Sequence, residues 1–334
     1  MNLIKTLTLL ALGLGLGCSP FTVQAEDKVL RLYNWADYFA PDTLAAFTRE
    51  TGIQVIYDVM DSSETLEAKM MSGHSGYDLI FPGDTVAERL MRAGALQKLD
   101  PGKLERLDDL EPGLRALQAR YPHSRHATVP YTWGTIGLTW NQAMIDSPDE
   151  VLAVVLHYLG REPRSAKRED LAAASALLSA IRPYVRKFQS QPVTELVNEN
   201  LCLSLGYSGD VIQAQRTAEA AGKAIDFQYR VPREGTTVWM DTMAIPADAR
   251  HPEYAYRFIN FVMRPENMAE ISNFTGYPTA SAKARSQVDA RLRDNPDIYL
   301  SDATFTRLIP GKDIPQADMR ARMRVWTRFK TAQD

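Results

Sequence analysis

The chain has 334 residues, 45% of them hydrophobic and 24% charged, with a formal charge of −3. The mildly acidic balance argues against a nucleic-acid partner, and ordinary composition without a low-complexity tract excludes a disordered or fibrous chain. Beyond the first 25 residues no segment has the length and apolarity of a membrane span.

Residues 1–25 read as a secretory signal. Lys5 gives a positive start, Leu7 to Leu16 a short apolar run, and Val23-Gln24-Ala25 a small-x-small cleavage site. Cleavage after Ala25 is expected. Lipid attachment at Cys18 is the rival, disfavoured because Gly15 stands where such a signal prefers a bulky aliphatic residue. Once the signal is cut, Cys202 remains alone in the apolar run NLCLSLGY and is expected to be buried and inert.

Residues 29–35, VLRLYNW, alternate apolar and polar and predict a strand. Pro41 suits the first turn of a helix with Leu44 and Phe47 on its apolar stripe, closed by Gly52. The β-branched run 53–59 predicts a second strand. Asp61-Ser62-Ser63-Glu64 then starts a helix that ends near Gly73. A third strand over 77–81 and a helix from Asp84 to Ala93, closed by Gly94, complete a strand–helix alternation that signals a parallel α/β sheet. The length favours two lobes. Residues 128–141 look extended and buried and could run from one lobe into the other. Helices are expected over 148–160 and 168–181, a buried strand over 201–207, and a helix from there to Ala221. Strands follow over 225–231 and 237–245, then helices over 251–265 and 265–274. A basic amphipathic helix from Gln316 should turn its Arg and Lys residues to solvent.

In parallel α/β sheets ligands sit beyond the carboxyl ends of the strands. The loops NWADY, DSSE and PGDT follow the first three strands and should gather on one edge. NWADY contains Trp35, Asp37 and Tyr38. An aromatic again stands near an acid in GYSGD, with Tyr207 and Asp210, and in VWMD, with Trp239 and Asp241; Tyr277 opens YPTA. Any one pair reads as well as a core aromatic beside a helix cap. Together they suit a cationic, partly apolar ligand, because rings attract cations and cover methylenes while carboxylates bind ammonium. None of the five histidines has metal-ligand spacing, and neither a GxSxG elbow nor a P-loop occurs. Acids and aromatics without a nucleophile–base pair predict binding, with no cofactor, metal or enzymatic turnover.

The segments LRLYNWADYFAPDT, YDLIFPGDT, VPYTWGTIGLTWN, GYSGD, WMDTMAIPADA and TGYPTASAKA resemble the periplasmic polyamine-binding proteins of ABC transporters, the putrescine and spermidine receptors, over nearly the whole chain after the signal. The resemblance implies a type II periplasmic-binding fold that closes like a hinged clamp. One lobe would hold residues 26–135 and 246–334, the other residues 136–245. It further implies a monomer that delivers its polyamine to an inner-membrane ABC permease. Carried over residue by residue, Trp35, Tyr38, Tyr207, Trp239 and Tyr277 match ligand-contacting aromatics. Glu150 in DSPDEV, Asp210 and Asp241 match amine-binding acids, and Asp37 lies beside the first group. Tyr207 stands where the family usually has Trp, and Gly83 where it has Ser. Trp239 leans towards spermidine receptors and Asp210 towards putrescine receptors, which leaves the polyamine open. Relatives carry a connecting segment, a helix and a strand between the positions of Ile145 and Asp146; here GLTWNQAMI runs almost directly into DSPDEV. The missing piece includes the cysteine that can pair with the equivalent of Cys202, and a strand supporting the loop of Glu150. A shortened receptor that closes, a sensor or adaptor paralogue, and a poorly folded remnant all remain open.

Overall fold

The computed structural model describes residues 28–139, 143–188, 193–197, 204–225 and 227–331. The signal segment with Cys18, and Cys202, lie outside the described residues. Among those described, ten strands form one curled, mixed sheet. They are β1 (Val29–Asn34), β2 (Gln54–Val59), β3 (Leu79–Ile80), β4 (Thr128–Thr139), β5 (Ala143–Met144), β6 (Lys187–Phe188), β7 (Ser204–Tyr207), β8 (Tyr229–Arg230), β9 (Thr237–Ala244) and β10 (Ile309–Pro310). The helices that flank them are α1 (Thr43–Thr51), α2 (Ser63–Met71), α3 (Asp84–Arg92), α4 (Pro112–Gln118), α5 (Pro148–Tyr158), α6 (Arg168–Ile181), α7 (Val193–Val197), α8 (Ser208–Ala220), α9 (Pro252–Val262), α10 (Pro265–Thr275), α11 (Ala290–Arg293), α12 (Asp302–Phe305) and α13 (Gln316–Thr331).

The first part of the chain folds as its alternation requires. β1 pairs in parallel with β2 and with β3, so their carboxyl ends share one edge. α1 and α2 are the crossovers that parallel pairing needs. Gly52 ends α1 with a left-handed φ of 69° and donates its N–H to the Thr48 carbonyl. Ser62 caps α2, its hydroxyl accepting the Thr65 N–H at 3.1 Å. β9 then enters antiparallel to β3, with Ala244 opposite Ile80, which makes the sheet mixed.

β4 is the long element of the fold. Up to Thr135 it pairs antiparallel with β9, with a register shift between Pro130 and Thr132, where proline has no N–H to give the ladder. From Ile136 onward its partners are β7 and β8. The strand order is β2-β1-β3-β9-β4-β7-β5-β6. Ahead of α5, Ala143–Met144 pairs in parallel with both β6 and β7 as a strand of two residues.

Two main clusters of side chains form the core. The larger gathers Phe39, Phe47, Phe81, Tyr131 and Phe258 in edge-on contacts and reaches Val211 and Tyr229. The second joins Val151, Leu152 and Leu156 of α5, Leu171 and Leu178 of α6, and Val325, Trp326 and Phe329 of α13. The C-terminal helix thus packs against α5 and α6. Its basic residues do not all face solvent, as the sequence reading expected. Arg322 is only 1% exposed and donates to Asp149 Oδ1 at 2.9 Å and to the Ser165 carbonyl at 3.0 Å. Its long side chain lies on the same face as Val325, Trp326 and Phe329, and those acceptors make the burial tolerable.

Candidate functional site

The carboxyl ends of β1 and β3 present residues 35–38 and 82–84 to the same edge. The first loop is held from both sides: the Tyr57 hydroxyl donates to the Trp35 carbonyl, and the Tyr131 hydroxyl donates to the Tyr38 carbonyl. Asp37 turns the chain between them with a φ of 55°, a left-handed conformation that aspartate tolerates better than most residues. The Tyr38 hydroxyl then reaches β9 and donates to Asp241 Oδ2 at 2.8 Å. Gly83 bridges to Asp241 through the backbone. A Cβ there would stand 3.5 Å from Asp241 Oδ1, an ordinary contact, so the serine expected of relatives would fit.

A run of rings continues from Tyr38. Its centroid lies 6.3 Å from that of Tyr277, Tyr277 meets Trp239 edge-on at 4.9 Å, and Trp239 meets Tyr207 edge-on at 6.0 Å. Two glycines permit this packing. A Cβ on Gly134 would come within 2.5 Å of Trp239 Cζ2, and one on Gly209 within 2.5 Å of the Tyr277 ring. Each of three phenols is paired with an acid. Besides Tyr38 and Asp241, Tyr207 donates to Glu150 Oε2 at 2.9 Å and Tyr277 donates to Asp210 Oδ1 at 3.4 Å. Asp210 Oδ2 and Trp239 Nε1 are buried with no hydrogen-bond partner among the described residues.

Burial dominates the electrostatics. It pushes Asp210 up to about 7, against the Tyr277 hydrogen bond. It pushes Asp241 up to about 7 as well; the Tyr38 hydrogen bond opposes this, while Asp84 and Glu150 reinforce it. Glu150 is raised by burial, opposed by Ser147, Tyr207 and Arg164. Asp84 is pushed up to about 6 by burial, with the Tyr121 hydroxyl, the Thr85 amide and Arg164 opposing. Buried acids at these positions are costly as anions unless a cation joins them. The ensemble is therefore suited to an ammonium-bearing ligand. Among the described residues no cluster of three or more His, Cys, Asp or Glu is placed to hold a metal.

Tyr38, Glu150, Tyr207, Asp210, Trp239, Asp241 and Tyr277 come together at this site. Trp35 and Asp37 are not joined to the group by a ring contact or hydrogen bond among the described residues. Trp35 packs against the cluster that includes Tyr33, Met60 and Leu66, and Asp37 is exposed. The sequence reading missed Asp84 and Arg164. PGDT follows the third strand on the same edge as NWADY, but in the sequence its Asp84 reads as an ordinary helix start.

Residues 42–155 and 146–298 match the family of bacterial extracellular solute-binding proteins. The chain belongs to that family. This solute-binding protein is 39% identical to the putrescine-binding periplasmic protein SpuD of Pseudomonas aeruginosa, with 98% of each chain covered. It is 36% identical to the putrescine-binding periplasmic protein PotF of Escherichia coli, again with 98% of each covered. Among solved structures, a putative spermidine/putrescine ABC transporter protein from Listeria monocytogenes superposes with a TM-score of 0.80 at 26% identity, covering 91% of this chain and 99% of that one. The substrate-binding protein PotD of Streptococcus pneumoniae gives 0.81 at 24% identity, covering 92% and 100%, a likeness of fold. The solute-binding fold accordingly holds for this chain, and no helix among its described residues is long and apolar enough to cross a membrane.

Proposed function

We propose that this solute-binding protein is a monomeric periplasmic receptor that captures a polyamine and delivers it to an ABC permease, acting by binding and not by turnover. One observation carries the reading: the buried Asp210 and Asp241 and the half-buried Glu150, each paired with a neutral phenol, lie along a continuous run of aromatic rings. In the proposal Glu150, Asp210 and Asp241 hold ammonium groups, Tyr38, Tyr207, Trp239 and Tyr277 cover the methylenes, and Trp35 and Asp37 stand at the rim. The names of the relatives support the class of ligand.

The ligand would lie between one lobe built from residues 26–135 and 246–334 and another from 136–245. The change of β4 partners after Thr135 supports a division there, although α13 packs with α5 and α6 of the second lobe. The second lobe is proposed to be shortened after Ile145. In support, the match to SpuD runs over 361 positions although this chain has 334 residues. The two stretches matching the family also meet at residues 146–155. Export to the periplasm by a signal cut after Ala25 completes the proposal.

The test is thermal unfolding of residues 26–334 with putrescine or spermidine. A ligand that binds only the folded state raises the midpoint, by ~2.7 kcal/mol of stability at a hundredfold excess over its Kd. A cooperative transition indifferent to both amines would reject polyamine capture in favour of a sensor or adaptor role.

A further inference from the structure

Asp84 is not one of the three phenol-paired acids, but it adjoins them in the chain through Gly83. It opens α3, is 6% exposed, and follows Gly83, whose backbone bridges to Asp241. Its Oδ1 accepts the Thr85 N–H at 2.7 Å. Its Oδ2 is buried with no hydrogen-bond partner among the described residues. The Tyr121 hydroxyl stands near this carboxylate and donates to the Gly311 carbonyl at 3.0 Å. Asp84 and Glu150 both make Asp241 harder to ionise, and Glu150 does the same to Asp84. A solvated acid at a helix start needs no explanation. A buried one with an unpartnered oxygen, beside a residue bridged to Asp241, does.

The local cations do not close the balance. Arg164 and Arg322 both bind Asp149. Asp84, Asp149, Glu150, Asp210 and Asp241 set against these two guanidiniums leave a surplus of three negative charges. A diamine would leave one of them unmatched, and a triamine would match them all.

Resting on the polyamine reading above, we infer that Asp84 is a further ligand-binding carboxylate, which receives a third positive nitrogen and selects a triamine over a diamine. The test is calorimetric titration of the mature protein and of Asp84→Asn with spermidine and putrescine. Asp84→Asn keeps the shape and removes the charge. It should weaken spermidine at least ~30-fold, as losing one partner of a desolvated charge pair does, and putrescine less than ~3-fold. Equal losses for both amines would overturn the inference. So would no loss for either. A second measurement needs no variant: N-acetylspermidine, which lacks one charge, should bind the unmodified protein at least ~10-fold more weakly than spermidine, and equal affinity would also overturn the inference. Failure of the unmodified protein to bind any amine would instead reject the polyamine reading itself.

Discussion

A tyrosine hydroxyl is a neutral donor, and that choice of partner matters at Asp241, Glu150 and Asp210. An arginine in its place would satisfy the acid and cancel its charge. The phenol orients the carboxylate and leaves its charge for a ligand. Asp241→Asn should therefore lower polyamine affinity by at least ~2 kcal/mol, roughly thirtyfold, in a calorimetric titration; unchanged affinity would remove Asp241 from the site. The same burial sets a pH dependence. Asp210 and Asp241 ionise near 3.8 ordinarily and near 7 in this fold. Their contribution to the stability of the unliganded protein is full below the ordinary value and is lost as pH rises from ~4 through ~7. A bound ammonium pulls both acids back towards ionisation, so capture should release protons near pH ~6.5 and tighten towards pH ~8. Titrations in two buffers of different ionisation enthalpy would show the release; identical heats would contradict it. Most of these residues could be read from the sequence because an aromatic near an acid recurs beyond strand ends. Asp84 could not be separated from an ordinary helix start, since only three-dimensional packing reveals that its second oxygen is unserved.

At the scale of elements, the missing side chain of Gly209 lets α8 begin against the Tyr277 ring. Gly209→Ala would drive a methyl into that ring. It should cost about 1–3 kcal/mol in stability by urea unfolding and also weaken ligand binding; neither loss would occur if the ring moved freely. α13 gives a second case. Arg322→Met keeps the apolar stem and removes the guanidinium that ties Asp149 to the Ser165 carbonyl. A loss of about 3 kcal/mol is expected by urea unfolding, and a change under ~0.5 kcal/mol would show the pairing to be dispensable. The helix itself was plain from its periodicity, and positions 322, 325, 326 and 329 share one face. What periodicity does not reveal is that an arginine on that face finds buried acceptors from another part of the chain. Short strands were equally hidden: two residues, as in β5, leave no alternation to detect. The insertion of β9 between β3 and β4 joins segments more than a hundred residues apart, which local pattern does not encode.

For the whole molecule, the open matter in the sequence was whether a shortened second half still folds. The second half has its own packed core, in which α5, α6 and α13 meet, and a sheet in which β5 keeps a place. Unfolding of the mature chain should therefore be a single cooperative transition by circular dichroism, without an early phase confined to residues 136–245. Separate transitions would show that the second half lacks independent support. The packing of the C-terminal helix has a further consequence. The chain begins in β1 and α1 at one end of the strand order, yet it ends on helices that serve the other. A donor dye on exposed Arg49 of α1 and an acceptor on exposed Arg328 of α13 would then sit on helices that serve opposite ends of the sheet. Energy transfer between them would turn capture into an optical signal, making the protein the frame of a reagentless sensor for its own cargo.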